Sequence, residues 1–465
     1  MNKLIANKKQ FFFIGIGGIG MSALARYFAH RGMAVVGYDS TPSAITNQLE
    51  KEGIAVHYTE SIDLIPMEFV TNPSETLVVY TPAVPSSHKQ LEYFNENNFD
   101  VMKRAKVLGL VTEGYTTVAV AGTHGKTSTT TMLAHLLAAT PQGCNAFLGG
   151  ISKNFESNLV LSDKGSKRMV VEADEFDRSF LNLKPHLAII TSVDADHLDI
   201  YKTHDEVKAA FRAFVSNINT GGVLIAKKEV EQIASHRTDL KVYSYSTTEK
   251  ADFCIHNLTN TNGTYSFNLI SPFGVVENIV LGVLGRYNVE NAVAAAAAAL
   301  VWGIETDKLK AALRTFKGIS RRFDQQFKGK KSVYIDDYAH HPEELKAAIS
   351  SVRELFPNRR ITGIFQPHLY SRTNDFAGGF AQSLDLLDEL ILLDIYPARE
   401  EPIYGVTSKL ILDKVKIQNK ILCSLEDTTK CLRERDVDVL ITMGAGNIDG
   451  IVSSIVELLK EKEKH

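Results

Sequence analysis

The stretch Gly122-Thr123-His124-Gly125-Lys126-Thr127-Ser128-Thr129-Thr130 decides how this chain is read. It lies between a strand-like apolar run, Thr117 to Ala121, and a helix-like run that begins near Thr129. A strand, a glycine turn, a lysine and a hydroxyl at a helix start make a phosphate cradle. Backbone N–H groups at a helix N-terminus lack intrahelical acceptors and point at an anion; Lys126 adds a point charge, and the Thr127 hydroxyl is placed to ligate the magnesium that a nucleotide carries. Lysine at the positive end of a helix is poorly placed unless an anion meets it. Gly122, Thr123, His124, Gly125, Lys126, Thr127 and Ser128 therefore read as an ATP-binding loop. Val120 stands where the common signature has its first glycine, so the loop is a shorter variant that points to a narrower family.

Upstream, Gly15-Ile16-Gly17-Gly18-Ile19-Gly20 satisfies G-x-G-x-x-G between the strand-like Phe11 to Gly15 and a helix from about Gly20 to Arg31. Asp39 ends the next strand, Ala34 to Tyr38, at the distance expected for a ribose hydroxyl partner. Alone, this pattern says NAD. An ATP loop about a hundred residues later makes hydride transfer a poor fit, and a nucleotide-sugar diphosphate suits the same helix N-terminus, with Gly15, Gly17, Gly18, Gly20 and Asp39 as its contacts.

Downstream of the loop, Glu172-Ala173-Asp174-Glu175 and Asp194-Ala195-Asp196-His197-Leu198-Asp199 each follow an apolar strand, Met169 to Glu172 and Leu187 to Thr191. Parallel strands bring their carboxyl ends to one edge, so these groups gather beside the phosphate loop, where hard oxygen ligands suit magnesium. The last third carries Arg321-Arg322-Phe323-Asp324, then Asp336-Asp337-Tyr338-Ala339-His340-His341-Pro342 after the strand Ser332 to Ile335. Gln366-Pro367-His368-Leu369-Tyr370-Ser371-Arg372 follows the strand Ile361 to Phe365. The two runs form a polar wall able to close over a nucleotide and a carboxylate, which arginine grips well. Arg321 and His341 on their own read as surface polarity.

The chain has 465 residues, 44% of them hydrophobic, and a net charge of -3. That length asks for about three domains, and the charge gives no reason to expect a nucleic-acid partner. Cys144, Cys254, Cys423 and Cys431 lie far apart in sequence, which excludes a disulfide scaffold or a paired zinc motif and fits the cytoplasm. No segment approaches the roughly 20 apolar residues needed to span a bilayer. Alternating strand and helix signals give three α/β domains in series. They are an N-terminal Rossmann-like parallel sheet (1–113), a central P-loop-type ATPase domain (114–318) and a C-terminal Rossmann-like α/β domain (319–465). The alanine-rich helix Asn288 to Trp302 must pack closely against something, and the charged tail Glu457 to His465 reads as a solvated helix end.

Eight motifs, GIGGIGMSALA, GTHGKTSTT, EADEFDRSFL, DADHLDIY, YNVENA, RRFD, DDYAHHP and FQPHLY, occur in this order across the chain. Together they resemble the Mur ligase family of peptidoglycan enzymes, and within it the alanine-adding branch. The resemblance implies an ATP-dependent ligase whose partners are UDP-N-acetylmuramate and L-alanine, with ATP and Mg2+ as cofactors and Mn2+ as a possible substitute. It also implies a cytoplasmic monomer or weak homodimer. By the same resemblance Lys126 contacts the β- and γ-phosphates, and Thr127, Glu172 and His197 hold the divalent ions. Asn288 and Asn291 face adenine, and Arg322, Asp337 and His340 reach the nucleotide. Tyr338, His368 and Arg372 lie near the incoming alanine and the muramyl carboxylate. Catalysis then rests on Lys126, His197, His368 and Arg372, with His197 or His368 as the base for the amine. Later ligases of the family carry a carbamylated lysine where Phe211 stands here, or Arg212 on a register shifted by one; the tripeptide-adding relatives carry a longer basic and aromatic run after EADE, where in this chain Phe180-Leu181-Asn182-Leu183 proceeds directly to Lys184-Pro185.

Overall fold

The protein is described by a computed structural model that covers residues 2–194, 201, 203–261, 263–398 and 400–464. Three sheets account for the α/β alternation. The first is a five-stranded parallel sheet of β1 (Gln10–Ile14), β2 (Ala34–Tyr38), β3 (Ala55–His57), β4 (Thr76–Tyr80) and β5 (Asp100–Lys103), in the order β3-β2-β1-β4-β5. The order reverses beside β1, and the glycine turn that follows β1 sits at that switch point, the usual ligand position of such sheets.

The second sheet has ten strands in the order β15-β14-β13-β12-β11-β10-β6-β9-β7-β8. Its members are β6 (Thr116–Ala121), β7 (Asn145–Ser152), β8 (Ser157–Val160), β9 (Arg168–Glu172), β10 (Leu187–Ile190), β11 (Val223–Lys227), β12 (Lys241–Ser246), β13 (Phe253–Thr261), β14 (Thr264–Ser271) and β15 (Gly274–Val280). Parallel pairing holds β6 between β10 and β9. Residues 117–121 and 187–190 are buried outright, which is why the sequence there reads as unbroken apolar runs rather than alternation.

The third sheet, β16 (Asp324–Lys328), β17 (Val333–Asp337), β18 (Ile361–Phe365), β19 (Glu389–Leu393), β20 (Lys420–Cys423) and β21 (Val439–Met443), runs β16-β17-β21-β18-β19-β20, parallel except for the β16–β17 pair.

The chain divides into two compact units: Met1–Thr259, Ser266–Gly282 and Glu290–Lys317 in one, and Asn260–Tyr265, Val283–Val289 and Gly318–His465 in the other. The first unit holds two sheets because one apolar core runs through both, from Phe11 and Phe28 to Phe147, Met169 and Phe214. Asn158 fastens the seam. Fully buried, it donates to the Ile19 carbonyl (2.6 Å) and the Ser22 hydroxyl (2.9 Å) of the helix Ile19–His30.

Several elements differ from the sequence reading. The helix after the phosphate loop begins at Lys126, not near Thr129, because Gly125 adopts a left-handed conformation that starts the helix at once. Strand β17 runs on through Asp336 and Asp337, both buried. The C-terminal tail is no free solvated end: Leu458 and Leu459 of the helix Val452–Lys462 are buried, and the half-buried Glu463 carboxylate accepts N–H bonds from Lys330 (3.0 Å), Lys331 and Ser332 (2.8 Å each). Those bonds hold its pKa below the usual value. The Cys423 and Cys431 thiols, eight residues apart in sequence, meet at 3.2 Å, and all four cysteines are free.

Ala292 to Ala299 of the helix Tyr287–Val301 are at most 1% exposed. A run of small side chains this deeply buried leaves little room for a larger one. Replacing Ala296 with leucine should therefore cost about 1–3 kcal/mol through overpacking, measurable as a lowered urea midpoint; an unchanged midpoint would show a looser contact than described.

Candidate active site

At the end of β6 the chain turns through Gly122 (φ 135°) and Gly125 (φ 78°) into the helix Lys126–Ala138. Neither position tolerates a side chain: a Cβ would lie 2.0 Å from Thr191 Oγ1 at Gly122 and 2.5 Å from Asn291 Oδ1 at Gly125. Thr123 and His124 are fixed from the loop after β10. Thr123 Oγ1 lies 2.7 Å from Ser192 Oγ and 3.1 Å from Asp194 Oδ2, the His124 N–H donates to Ser192 Oγ (3.0 Å), and His124 Nε2 stands 3.6 Å from Asp194 Oδ2. Thr129 Oγ1 donates to Asn291 Oδ1 (3.3 Å), so Asn291 braces the first turn of the helix. Thr127 and Ser128 are buried beside it.

The Lys126 side chain folds back over this turn. Its ammonium donates to the Gly122 carbonyl (2.7 Å) and to Glu175 Oε1 (2.8 Å). Burial alone would lower its pKa, but Glu175, Asp174 and Glu172 together raise it above its ordinary value, so the lysine is a fixed cation. Glu175 is 1% exposed and its carbonyl accepts from Tyr201 Oη (2.6 Å). Glu172, at the end of β9, accepts from Thr127 Oγ1 (3.1 Å). Gly149 on β7 makes room for that carboxylate, since a Cβ there would stand 2.0 Å from Glu172 Oε2. A hydroxyl and a carboxylate side by side at a helix start, with space kept open around the acid, form a hard oxygen donor pair suited to a divalent cation. No cluster of three metal-ligating side chains occurs among the described residues, and His197 lies outside them.

In the first sheet, Gly15 takes φ 84° and Gly18 caps the helix Ile19–His30. Asp39 Oδ2 accepts the Gly17 N–H (2.7 Å) and Oδ1 the Ser40 N–H (2.8 Å), so this acid shapes the glycine turn itself. The Arg104 side chain lies against Gly20, where a Cβ would be 2.8 Å from its Nη1.

In the second unit, Asp337 organises the arginine turn. It accepts from the Phe323 N–H (2.6 Å), the Ala339 N–H (2.8 Å) and Tyr287 Oη (3.3 Å), and burial raises its pKa against the pull of Arg322 and of these N–H groups. The Arg321 and Arg322 guanidiniums lie 5.1 and 4.9 Å from the Tyr338 ring centre. His340 Nδ1 faces the Tyr338 carbonyl (2.9 Å) and stands 3.4 Å from Glu344. Burial, helped by Arg372 and Arg322 and opposed by Glu344, lowers its pKa to about 4. His368 stacks on Tyr396 (5.8 Å) and meets His340 edge-on at 6.0 Å. Arg372 lies in the first turn of the helix Tyr370–Leu384, half-buried. Asn288 donates to the Leu284 carbonyl (2.7 Å).

Profiles described as the Mur ligase family catalytic domain, the Mur ligase middle domain and the Mur ligase glutamate ligase domain match residues 10–116, 120–299 and 321–446. A UDP-N-acetylmuramate–L-alanine ligase of Parabacteroides distasonis is 52% identical over 448 residues, 96% of this chain and 96% of that protein. The chain belongs to the Mur ligase family. A ligase of the same name from Porphyromonas gingivalis is 51% identical over 97% of this chain and 99% of its own length. Among solved structures, a UDP-N-acetylmuramate-alanine ligase from Thermotoga maritima superposes with a TM-score of 0.82 at 28% identity, covering 97% of this chain and 99% of that one.

Two residues of this Mur ligase fold make contacts that the sequence reading did not assign. Glu175 was grouped with the acids expected beside the phosphate loop, with no partner named, and it is the carboxylate that meets the Lys126 ammonium. Arg321, read as surface polarity, donates to the Gly444 carbonyl (2.6 Å) and faces the buried Asp336 at 3.6 Å. Only its unusual φ of 64° sets it apart, and no sequence signal carries that for arginine. His341 packs edge-on against Phe376 (4.8 Å) instead of lying on open surface. Phe211, at the position compared with the carbamylated lysine, is fully buried against Phe180 (5.2 Å).

With a folded pKa near 4 and an unfolded one near 6.5, His340 is held neutral, so its contribution is present above pH 6.5 and lost as pH falls toward 4. Unfolding free energies at pH 7 and pH 5 should therefore differ by about 1–2 kcal/mol less in His340→Gln than in the wild type; equal differences would mean that the imidazole is not held neutral.

Proposed function

We propose that this chain is an ATP-dependent acid–amino-acid ligase that joins L-alanine to the lactyl carboxylate of UDP-N-acetylmuramate. The products are UDP-N-acetylmuramoyl-L-alanine, ADP and phosphate, and the reaction belongs to cytoplasmic peptidoglycan precursor synthesis. The observation that carries this reading is identity of about half of all positions, along nearly the whole chain, to ligases of that name. Residues 1–113 then form the UDP-sugar domain, 114–318 the ATP domain and 319–465 the C-terminal ligase domain, and the chain acts as a monomer or weak homodimer.

Joining a carboxylate to an amine in water is uphill, so the carboxylate first needs a leaving group. The lactyl carboxylate attacks the γ-phosphate of ATP, the acyl phosphate that forms is attacked by the alanine amine, and the tetrahedral adduct releases phosphate. This route asks the protein for position and charge more than for covalent chemistry. The N–H groups that open the helix Lys126–Ala138 hold phosphate oxygens, and Lys126 neutralises charge that spreads over the transferring phosphoryl. Gly122 to Ser128 wrap the phosphates, with Asn288, Asn291, Arg322, Asp337 and His340 as further nucleotide residues. Thr127 and Glu172, with His197 as a third ligand, would hold Mg2+, or Mn2+ in its place, and the ion would supply positive charge to the polyphosphate. Gly15, Gly17, Gly18, Gly20 and Asp39 hold the sugar nucleotide. Arg372 and Tyr338 serve the substrate carboxylate and alanine, and His368 or His197 takes the proton from the alanine ammonium.

Phosphate release from ATP and UDP-N-acetylmuramate, scanned over the twenty amino acids, tests the reading. Alanine should give the highest kcat/KM, with glycine and serine behind by roughly 10- to 200-fold; release that ignores the amino acid supplied would overturn it. In addition, Lys126→Ala should lower turnover by about a thousandfold or more while calorimetric affinity for UDP-N-acetylmuramate stays within about twofold, because the two nucleotides use different loops. Parallel loss of both in a folded variant would contradict the assignment.

A further inference from the structure

The third sheet carries a pair of thiols for which the ligase reaction has no use. Cys423 closes the edge strand β20, and Cys431 lies on the helix Thr428–Arg433 that follows it. Their sulfurs are 3.2 Å apart, and both residues are half-buried. Ile421 and Cys423 share one face of β20 and pack against the core that holds Leu432 of the helix, while Leu422 between them is 45% exposed. The pair therefore sits at the rim of the fold, within reach of solvent.

Hydrogen bonds of the connecting turn hold the two thiols together. Ser424 Oγ donates to Asp427 Oδ2 (2.8 Å) and accepts the Asp427 N–H (3.1 Å), and Thr428 Oγ1 donates to the Ser424 carbonyl (2.8 Å). The Cys431 N–H donates to the Asp427 carbonyl (2.9 Å), which fixes the turn of helix bearing the second sulfur. Beyond the helix, Arg435 donates to the Cys431 carbonyl and, from Nε, to Glu389 Oε1 (2.7 Å) at the start of β19. Strand and helix are thus tied on both sides of the pair. A disulfide sets its sulfurs about 2 Å apart, so closure asks for only about 1.2 Å of approach.

We propose that Cys423 and Cys431 form a reversible oxidation site that reacts with low-molecular-weight disulfides. The Cys431 thiolate attacks one sulfur of the small disulfide, giving a mixed disulfide and releasing one small thiolate. The Cys423 thiolate then attacks the Cys431 sulfur, which forms the Cys423–Cys431 bond and expels the second small thiolate. The two protein thiols give up two electrons and two protons, and the small disulfide takes them up as two thiols. Burial, and after it the neighbouring Cys431 thiol, pushes the Cys423 thiol up to about 12, so Cys423 keeps its proton and Cys431 makes the first attack. Capping Cys431 removes its part of that effect, and the second attack is intramolecular. In a reducing compartment such a bond is transient, as a sensor requires and a scaffold does not.

The test treats the folded full chain with oxidised glutathione, quenches in acid, unfolds, alkylates the remaining thiols and maps the peptides by mass spectrometry. Cys423 and Cys431 should be recovered joined to each other, free of glutathione and of alkylation, and a dithiol reductant should return both to the alkylatable state. Cys423→Ser should stop at the first step, with glutathione retained on Cys431. Cys431→Ser should slow loss of the Cys423 thiol by about tenfold or more. Wild type whose two thiols are still alkylated after the treatment, or which keeps glutathione on either of them, would overturn the proposal. Closure that appears only after urea has unfolded the chain would overturn it as well, and this wild-type comparison decides the matter even where a serine variant folds poorly.

Discussion

The first unit is arranged around the backbone N–H groups that open the helix Lys126–Ala138. They concentrate positive potential at the carboxyl edge of a buried sheet, and neighbouring groups either keep that position free of side chains or balance its charge. Gly122 and Gly125 keep it clear, with Thr191 and Asn291 closing in where any Cβ would be. Lys126 brings a cation to the same place, which the acids Glu172, Asp174 and Glu175 balance, Glu175 through a 2.8 Å contact. A polyphosphate with its metal ion fits this pattern of charge, and few other ligands do.

The same physics appears at the first sheet in a milder form. There the glycine turn is shaped by an acid, Asp39, whose two oxygens hold the Gly17 and Ser40 N–H groups, and the cation nearby is Arg104. In the second unit the emphasis shifts from binding to loop shaping. Asp336 and Asp337 are buried at the end of β17, where burial raises Asp336 to about 6, and their hydrogen bonds shape the turn that displays Arg322, Tyr338 and His340. Enzymes built this way spend little on covalent chemistry and much on holding charged groups at fixed distances.

The architecture was legible largely because central strands such as Thr76–Tyr80 and Ile361–Phe365 are buried on both faces. Ala34–Tyr38, Thr76–Tyr80, Ile361–Phe365 and Glu389–Leu393 have the bounds that their apolar runs suggest. The errors fall where a single backbone choice overrides the pattern. Gly125 starts the helix three residues early, and Asp336 and Asp337 extend a strand whose apolar run ends at Ile335, since Thr442 Oγ1 donates to Asp336 Oδ1 and the Phe323 and Ala339 N–H groups donate to the Asp337 oxygens. At the site, groups that parallel strands bring to one edge were readable, as for Thr127 in the phosphate loop and Glu172 at the end of β9. Contacts set by packing were not: the specific pairing of Glu175 with Lys126 and the seat of Arg321 on the Gly444 carbonyl depend on which way a loop turns, and composition is silent about that.

The central claim is that the loop at 122–128 activates a carboxylate by phosphorylating it. Transfer of a heavy oxygen label decides this most directly: the lactyl carboxylate of UDP-N-acetylmuramate is labelled, the reaction is run with ATP and alanine, and the released phosphate is weighed by mass spectrometry. The account predicts one labelled oxygen in each phosphate released. Phosphate free of label, with the expelled labelled oxygen found instead in AMP or in water, would contradict it.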